Sequence, residues 1–386
     1  MVGAPIDPAQ SPAGKTAQIA AMATSPFPSI AFLWPALVAA SVSDAAAAVA
    51  SEFAHLAGSI DAEPAAPAPR WASPNEIALE LSTMRLRDFS QGASGAPTLV
   101  CAPFALHGAT IADFAPAHSL VAALMRAGRG RLLVTDWRSA QPEARFNSID
   151  SYVAELNVAV DAIGDKVDLV GLCQGGWMAL IYAARFPAKV RKLVLAGAPV
   201  DIGAGQSLLS RITDSLPMSA FRDIVQAGEG RVLGRRVLGL WGPPRFGPEE
   251  IAEILQVAPE SLAARKNRLQ TRFENWYAWT VDLPGAYYLQ VVEWLYKQNR
   301  LATGRFTALG CRIDLSALRV PIYLLAARDD ELVAPEQVFA TAARIGTSPE
   351  FVRTTTAPCR HLGLFMGAAT LRTIWPQIAQ WLAEEL

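Results

Sequence analysis

The chain has 386 residues, a formal net charge of −1 and 52% hydrophobic residues. This length is sufficient for one large α/β domain with an insertion, and the composition supplies a sizeable core. The near-zero charge argues against a nucleic-acid partner. The four cysteines are widely spaced and include no CxxC pair: Cys101, Cys173, Cys311 and Cys359. The pattern indicates reduced thiols in the cell interior and predicts no metal site. No cofactor is expected.

Residues 1–72 form a segment rich in alanine, proline and serine, which we treat as separate from the predicted α/β core. Its apolar centre, Phe27–Ala40, contains prolines and lies away from the first residues. It therefore predicts neither a secretory signal nor a membrane-spanning helix. Residues Leu33–Leu56 are interpreted as an amphipathic helix. Docking on the protein's own core is the default for such a helix, and a partner or a lipid-like surface is the alternative.

The first core strand is predicted at Pro97–Ala102, a short apolar run followed by the loop Pro103–Gly108. Two residues of this loop are candidates for a site at the end of the strand. The backbone N–H of Phe104 is a candidate hydrogen-bond donor. The side chain of His107 either touches a substrate or makes a structural hydrogen bond within the loop.

The run Gly171–Gly175 has the G-x-C-x-G pattern of a nucleophile elbow, with Cys173 at its centre. It follows the apolar run Val167–Val170 and precedes a predicted helix, Trp177–Phe186, that ends at a Phe-Pro step. The glycines remove side chains that would collide where strand and helix meet. Because a helix N-terminus favours negative charge, the position favours a reactive thiolate. A buried structural cysteine in a tight turn is the alternative.

A further buried strand is predicted at Val190–Pro199, which completes a strand–helix–strand unit around the elbow. The elbow also indicates how an oxyanion would be stabilised. One N–H donor would be that of Gln174, the residue after the cysteine, and the second would come from the loop after the first strand, at Phe104.

Residues 202–310 are too long for a simple crossover and are interpreted as a mainly helical cap. The second half of the cap concentrates aromatic side chains, which would line an apolar cleft above the cysteine or pack the cap's own core. We expect both uses. The candidate substrate-binding residues besides His107 are Trp177, Trp279, Tyr287 and Tyr288. The cap divides the core into residues 73–201 and 311–386, and it would exclude water and open for substrate.

The acid and the base are predicted after the cap, in the chain order nucleophile, acid, histidine. The strand Val320–Ala327 is followed at once by Asp329 and Asp330. Asp329 is slightly preferred as the acid, and a turn-forming role is the alternative for either residue. His361 is the one histidine downstream of the elbow and is the candidate base. Its segment, Thr356–Phe365, has little periodicity and is predicted to be a loop.

From about Asn75 to its C-terminus, the chain resembles the polyhydroxyalkanoate synthases and the intracellular polyhydroxybutyrate depolymerases, which are α/β-hydrolases with a catalytic cysteine. Gly171–Gly176 resembles the elbow of the shorter synthases, and Thr135-Asp136-Trp137 resembles a motif of both branches. Two further segments resemble the depolymerases, namely Asp282–Leu289 with its continuation to Gly304, and Cys359–Gly367.

The chain departs from each branch at one place. Synthases usually carry Gly-His-Ile around the base, whereas Arg360 and Leu362 flank His361 here. Depolymerases of this kind often carry other residues after their Cys-Gln, at the positions where this chain has Gly175-Gly176. The resemblance implies an α/β-hydrolase fold with a mainly parallel sheet, and it favours a depolymerase over a synthase.

The implied depolymerase would cleave polyester through a thioester on Cys173, which water activated by His361 would then hydrolyse. A synthase would load the same cysteine from a hydroxyacyl-CoA and pass the acyl group to a hydroxyl of the growing chain. The same residues would also suit a small-molecule esterase or thioesterase, or an inactive granule-associated scaffold. The expected partner is the polyhydroxyalkanoate polymer or its granule surface in the cytoplasm, and a homodimer is left open.

Overall fold

The structure is a computed structural model that describes residues 67–239, 246–259, 262 and 268–385. The amphipathic helix predicted at Leu33–Leu56 lies outside these residues. Within them, no helix combines the length and apolar character needed to cross a membrane.

A large sheet forms the centre of the described chain, and short two-stranded ribbons lie outside it. The strands, numbered in chain order, are β1 (Glu76–Glu80), β2 (Met84–Asp88), β3 (Thr98–Cys101), β4 (Asp113–Ala115), β5 (His118–Ser119), β6 (Leu132–Trp137), β7 (Val167–Leu172), β8 (Val190–Ala196), β9 (Arg231–Val232), β10 (Leu283–Pro284), β11 (Thr307–Ala308), β12 (Cys311–Arg312), β13 (Ile322–Ala327) and β14 (Val352–Ala357).

Helices connect most of the sheet strands. In chain order the α-helices are α1 (Leu120–Arg126), α2 (Ile149–Ile163), α3 (Gln174–Arg185), α4 (Leu208–Ser215), α5 (Met218–Ala227), α6 (Gly234–Gly239), α7 (Pro248–Leu255), α8 (Leu269–Ala278), α9 (Gly285–Gln290), α10 (Pro335–Phe339), α11 (Gly363–Met366), α12 (Ala368–Thr373) and α13 (Trp375–Ala383). A π-helical turn, Val291–Lys297, continues α9.

The sheet has eight strands in the order β1-β2-β6-β3-β7-β8-β13-β14. Strand β2 runs antiparallel to its neighbours β1 and β6, and the strands from β6 to β14 are parallel. Parallel strands need crossovers that cover the sheet, so the inner strands are almost continuously buried and apolar. This strand order with its single antiparallel member is that of an α/β-hydrolase, as the sequence predicts.

The strands predicted around the elbow and before the acid are confirmed as β3, β7, β8 and β13, with ends that differ by up to three residues. The helix predicted after the elbow begins earlier, at Gln174, directly after the cysteine. The loop predicted at Thr356–Phe365 is only partly irregular. It begins with the last residues of β14 and ends within α11, and His361 lies in the turn between them.

The region interpreted as a cap, residues 202–310, is mainly helical in its described part, which contains α4 to α9 and the π-helical turn. Its packing residues are predominantly large and apolar, and several aromatic side chains among them are fully buried. The domain boundaries at residues 72, 201 and 310 stay predictions.

The elbow packs without any clearance against the end of β3. A Cβ atom on Gly175 would lie 2.2 Å from the carbonyl oxygen of Cys101 and 2.5 Å from that of Ala102. A Cβ atom on Gly176 would lie 2.3 Å from the Cβ of Ala198, just beyond β8. The carbonyl oxygens beside Gly175 and the Ala198 Cβ beside Gly176 are all fixed to the main chain. Because such atoms cannot move aside as the end of a flexible side chain can, both positions require glycine.

We expect Gly175→Ala to destabilise the protein by about 1–3 kcal/mol or more, since the added methyl must displace the backbone of β3. Urea denaturation of the purified variant measures this change. The matched control is Gly247→Ala, whose Cβ would meet only the carboxylate tip of Glu249 at 3.4 Å. Equal stability of the two variants would contradict the close packing described for the elbow.

Candidate active site

Cys173 joins β7 to α3 in a strained backbone conformation, with φ 49° and ψ −117°. A non-glycine residue adopts this region only where its surroundings enforce it, and such strain clusters at functional sites. Here the enforcement comes from the glycines on both sides of the cysteine. The side chain lies at the start of α3, where the helix dipole favours negative charge. Only 1% of the residue is exposed.

The structure brings His361 against Asp330. The imidazole Nδ1 lies 2.7 Å from Asp330 Oδ2, and both side chains are 0% exposed. The other carboxylate oxygen, Oδ1, accepts hydrogen bonds from the backbone N–H groups of Leu332 and Val333, each at 2.9 Å. The Asp330 carboxylate is therefore fixed by its own turn as well as by its contact with the imidazole.

The structure does not support the preference for Asp329 as the acid, because the carboxylate that contacts His361 is that of Asp330. Its carboxylate is 57% exposed and pairs with the neighbouring guanidinium of Arg328 at 3.2 Å. The backbone N–H of Asp329 donates to the carbonyl of Cys359 at 3.1 Å, which turns the side chain outward. The next residue, Asp330, then points inward to the base.

The environment of His361 favours its protonated form. Burial alone lowers the pKa of the imidazole, but the charges of Asp330 and Cys173, with hydrogen bonds to both, raise it well above the usual value. Within the described residues, Nε2 has no nitrogen or oxygen partner. The thiol of Cys173 is thus the group available to exchange a proton with the imidazole.

Gly197 is a site residue that sequence reasoning missed. It follows β8 with φ 57°, in the left-handed region that favours glycine. A Cβ atom there would lie 3.1 Å from His361 Cε1 and 2.9 Å from a methyl group of Leu364. The glycine therefore leaves room for the imidazole. The sequence feature that could have indicated this role is the position of the glycine, directly after a predicted buried strand.

Gln174, the predicted first oxyanion donor, opens α3, where N–H groups have no acceptor within the helix. Its side chain is held on both sides. The amide nitrogen donates to the Tyr296 hydroxyl at 2.9 Å, and the amide oxygen accepts from the indole N–H of Trp177 at 2.8 Å. Trp177 is fully buried and supports Gln174, and Tyr296 reaches this contact from the π-helical turn.

Phe104, the second predicted donor, lies in a loop whose start is braced by β6. Thr135 Oγ1 accepts from the backbone N–H of Ala102 at 3.0 Å, and the indole of Trp137 donates to the carbonyl of Ala102 at 2.8 Å. The Phe104 carbonyl accepts weakly from the Tyr287 hydroxyl, at 3.4 Å. The motif around Thr135 therefore positions the loop beside the elbow.

His107 packs within the cap–core boundary. Its Nδ1 lies 3.1 Å from the carbonyl oxygen of Trp279, and its ring stacks on Trp276. Burial lowers the pKa of His107 to about 4, so the ring is neutral near pH 7. The indole of Trp279 lies directly over Gly108. The hydrogen bond to Trp279 is structural but runs to the cap, whereas the hydrogen bond predicted from the sequence is one within the loop. A substrate role for either residue stays a prediction.

Tyr287 and Tyr288 are both buried. Tyr287 faces the elbow side, since its ring lies 6.4 Å from that of Trp177 and its pKa is raised by burial and by neighbours that include Cys173. Tyr288 packs on the other side, against Phe221. Both rings are packed against other aromatic side chains, and their contact with substrate stays a prediction.

The arrangement as a whole is capable of nucleophilic acyl chemistry. A strained thiol lies at a helix N-terminus, a buried imidazole is oriented by a carboxylate, and backbone N–H groups open the same helix. These groups occur in the order Cys173, Asp330, His361 along the chain, which is the order of α/β-hydrolases.

Comparison with known proteins is consistent with this site. A family model described as PHB de-polymerase C-terminus matches residues 254–385, which include Asp330 and His361. One described as protein of unknown function (DUF3141) matches residues 78–218. The poly(3-hydroxyalkanoate) polymerase subunit PhaC of a Synechocystis strain is 29% identical over 285 residues, which cover 70% of this chain and 74% of that protein.

These matches fit the polyhydroxyalkanoate synthase and depolymerase group of α/β-hydrolases, which the sequence resembles. A second relative in this group, the polymerase subunit PhaC of Allochromatium vinosum, is 27% identical over 279 residues, covering 70% of this chain and 76% of its own. Among solved structures, an α/β hydrolase fold protein from Chitinophaga pinensis aligns at 15% identity with a TM-score of 0.48, covering 81% of this chain and 98% of its own.

Asp330→Asn should lower the pKa of His361, because burial then acts without the opposing carboxylate. An NMR titration of the imidazole resonances measures the shift, and four histidines keep the spectrum simple. The raised pKa also means that the charged pair stabilises the fold below about pH 6.5 and that this contribution is lost as the pH rises through the folded-state pKa. Asp330→Asn should remove that pH dependence.

Asp329→Asn is the matched control for this experiment. It removes a carboxylate one residue away that points into solvent, so the titration of His361 should stay close to that of the unaltered protein. A larger shift from Asp329→Asn than from Asp330→Asn would contradict the assignment of Asp330 as the partner of the base.

Proposed function

We propose that this protein is a polyhydroxyalkanoate synthase, in which Cys173 carries the acyl group, His361 transfers protons and Asp330 orients the imidazole. The sequence alone favours the depolymerase. The polymerases among the curated relatives support the synthase better, since they align over about 70% of the chain. The observation that carries the proposal is the fully buried Cys173, His361 and Asp330 cluster beneath an aromatic cap.

In the first step, the Cys173 thiolate attacks the carbonyl carbon of a hydroxyacyl-CoA thioester. The N–H groups of Gln174 and Phe104 stabilise the oxyanion. A new C–S bond to Cys173 forms and the C–S bond to CoA breaks, and the CoA thiolate takes the proton that His361 holds. The raised pKa of the imidazole suits this role, because the ring keeps its proton until the leaving group needs it.

In the second step, a hydroxyl group of another hydroxyacyl unit attacks the acyl-enzyme. His361 accepts the hydroxyl proton, the ester C–O bond forms, and the C–S bond to Cys173 breaks. The departing Cys173 thiolate and the imidazolium restore the state in which the first step began, so all protons are accounted for. Polymer growth by this route would place the protein at the surface of a polyhydroxyalkanoate granule.

Water exclusion decides between polymer growth and hydrolysis, because water and the hydroxyl compete for the same thioester. The buried positions of Cys173 and His361 support transfer to a hydroxyl. Burial also means that substrate enters only when the cap moves, which is a common device of enzymes that protect a reactive intermediate.

The depolymerase is the second candidate function, and one specific observation favours it. The family model described as PHB de-polymerase C-terminus matches the region that contains the acid, the base and much of the cap. The same residues would then serve hydrolysis, with His361 activating water for attack on the Cys173 thioester.

Product analysis by mass spectrometry distinguishes the two candidates. Purified protein is offered 3-hydroxybutyryl-CoA and, separately, amorphous polyhydroxybutyrate granules. We expect free CoA and growing polymer from the first substrate. Release of 3-hydroxybutyrate or its oligomers from granules, without polymer formation, would replace the synthase by the depolymerase. If neither substrate gives a product, small esters or thioesters become the candidate substrates.

Cys173→Ala is the control for this assay and a prediction in its own right. Loss of the nucleophile should lower turnover by about 10³-fold or more, with the fold retained. Cys311→Ala is the matched variant, because Cys311 is an exposed thiol far along the chain from the elbow. Turnover that persists in Cys173→Ala would exclude the covalent route.

A further inference from the structure

Two links join the loop of the acid to the loop of the base. Asp330 contacts His361 at 2.7 Å, and the next residue, Glu331, contacts the preceding residue, Arg360, at 3.1 Å between Oε1 and Nη2. The second link therefore lies one residue away from the first on both loops. Holding Arg360 and Glu331 together holds the acid and the base at their working separation.

Arg360 also reaches the cap. Its Nη1 lies 3.6 Å from Glu250 and 3.9 Å from Glu253, both on helix α7. Helix α7 packs on α11, the helix that begins two residues after His361. The guanidinium is thus shared between the cap helix and the turn that carries the acid.

The other end of α7 is fixed to the core independently of Arg360. Gln256, the residue after the helix, accepts hydrogen bonds through its side-chain oxygen from the backbone N–H of Thr370 at 2.8 Å and from the Thr370 hydroxyl at 3.1 Å. This second attachment involves no charge. It provides a way to loosen the helix without altering the electrostatics around the base.

One cation faces three carboxylates at this boundary. The side chains of Arg360, Glu331 and Glu250 are only 21–24% exposed, so their charges are less screened than those of surface pairs. Burial raises the pKa of Glu250, the neighbouring Glu253 and Glu331 add to the rise, and Arg360 opposes it. Without the guanidinium, the carboxylates of the cap and of the acid turn would repel each other.

We propose that Arg360 is a positioning residue that couples the seating of cap helix α7 to the alignment of Asp330 with His361. When α7 is seated, Glu250 and Glu331 hold the guanidinium from two sides, and the loop that carries the base is fixed. When α7 lifts, Arg360 loses its cap contacts and the two loops lose part of their connection. The base is then fully oriented only when the site is closed to water.

The planar guanidinium suits this role because it donates in several directions within one fixed plane. Lysine carries the same charge at a single flexible point and cannot hold carboxylates on two sides in a defined geometry. The inference rests on the proposed use of Cys173 and His361 as reacting groups, but it holds equally for a synthase and for a depolymerase.

The test measures thiolate formation at Cys173 and needs no substrate. Full-length protein is treated with iodoacetamide across a pH series, and peptide mass spectrometry follows alkylation at each cysteine. The exposed Cys311 reports the reagent's own reactivity in the same sample. The pH midpoint at Cys173 reports the support that the oriented imidazole gives to the thiolate, whatever the frequency of cap opening.

We expect Arg360→Gln and Glu250→Gln each to move this midpoint to higher pH by roughly half a unit, which is about a threefold loss of thiolate. Glu250→Gln gives the sharper result. Removing a nearby negative charge by itself would stabilise the thiolate and move the midpoint to lower pH, so a shift to higher pH reports lost alignment. In the Arg360→Gln background, Glu250→Gln should add no further shift.

Two controls complete the experiment. Arg360→Lys keeps the charge and should still show the shift. Gln256→Ala loosens α7 at its uncharged end and should move the midpoint in the same direction although no charge changes. Hydrogen exchange of residues 248–255 records the loosening of α7 in each variant. If Arg360→Gln does not fold, Glu250→Gln on the cap side keeps the test intact.

The proposal is overturned if Glu250→Gln moves the midpoint to lower pH or leaves it unchanged, or if Arg360→Lys behaves as the unaltered protein. The readout also separates this inference from the proposed function. A protein that makes no polymer but shows the shift keeps the role of Arg360, and a protein that makes polymer without the shift loses only that role.

Discussion

The contact between helix α3 and the carbonyl groups at the end of β3 determines where Cys173 and the start of the helix lie. Helix and strand approach so closely that no side chain fits between them, and the glycines of the elbow are the consequence. This contact forces the backbone of Cys173 into its strained conformation and directs its side chain away from the sheet. It also places the loop that contains Phe104 beside the first N–H groups of the helix. The proposed nucleophile and its proposed oxyanion donors are thus positioned by one packing constraint rather than by several independent ones.

The acid and the base follow from the sheet in a similar way. Strands β13 and β14 are parallel neighbours whose last residues, Ala327 and Ala357, lie opposite each other. The loops after them therefore begin side by side, and Asp330 meets His361 although 31 positions separate them in the chain. What the sheet cannot supply is the final orientation of the side chains. That comes from local contacts, including the N–H groups that hold Asp330 and the space left for the imidazole beside Gly197.

Much of this arrangement is predictable from the sequence, because elbows, buried strands and the chain order of reacting groups leave strong local patterns. The elbow, its flanking strands and the segments that carry the acid and the base all follow from such patterns. The choice between Asp329 and Asp330 failed because it depends on the direction of two adjacent side chains in one turn, which composition does not encode. The depolymerase preference rested on motifs around groups that serve either reaction. Whether water or a hydroxyl group accepts the acyl group depends on the shape of the cleft and on its access to water. A short sequence motif does not encode either property.

The π-helical turn at Val291–Lys297 has a consequence for how this cap can change. A π-helical turn accommodates an extra residue within a helix, which changes the direction of the side chains in the turn. Such a turn persists where contacts with the surroundings stabilise the changed direction. Here the stabilising contact is the hydrogen bond that the Gln174 side-chain amide donates to the Tyr296 hydroxyl. Deletion of a single residue from this turn would let it relax to an ordinary helix and change the direction of the Tyr296 side chain within it. The length of this short stretch is therefore constrained as tightly as the identity of any side chain in it.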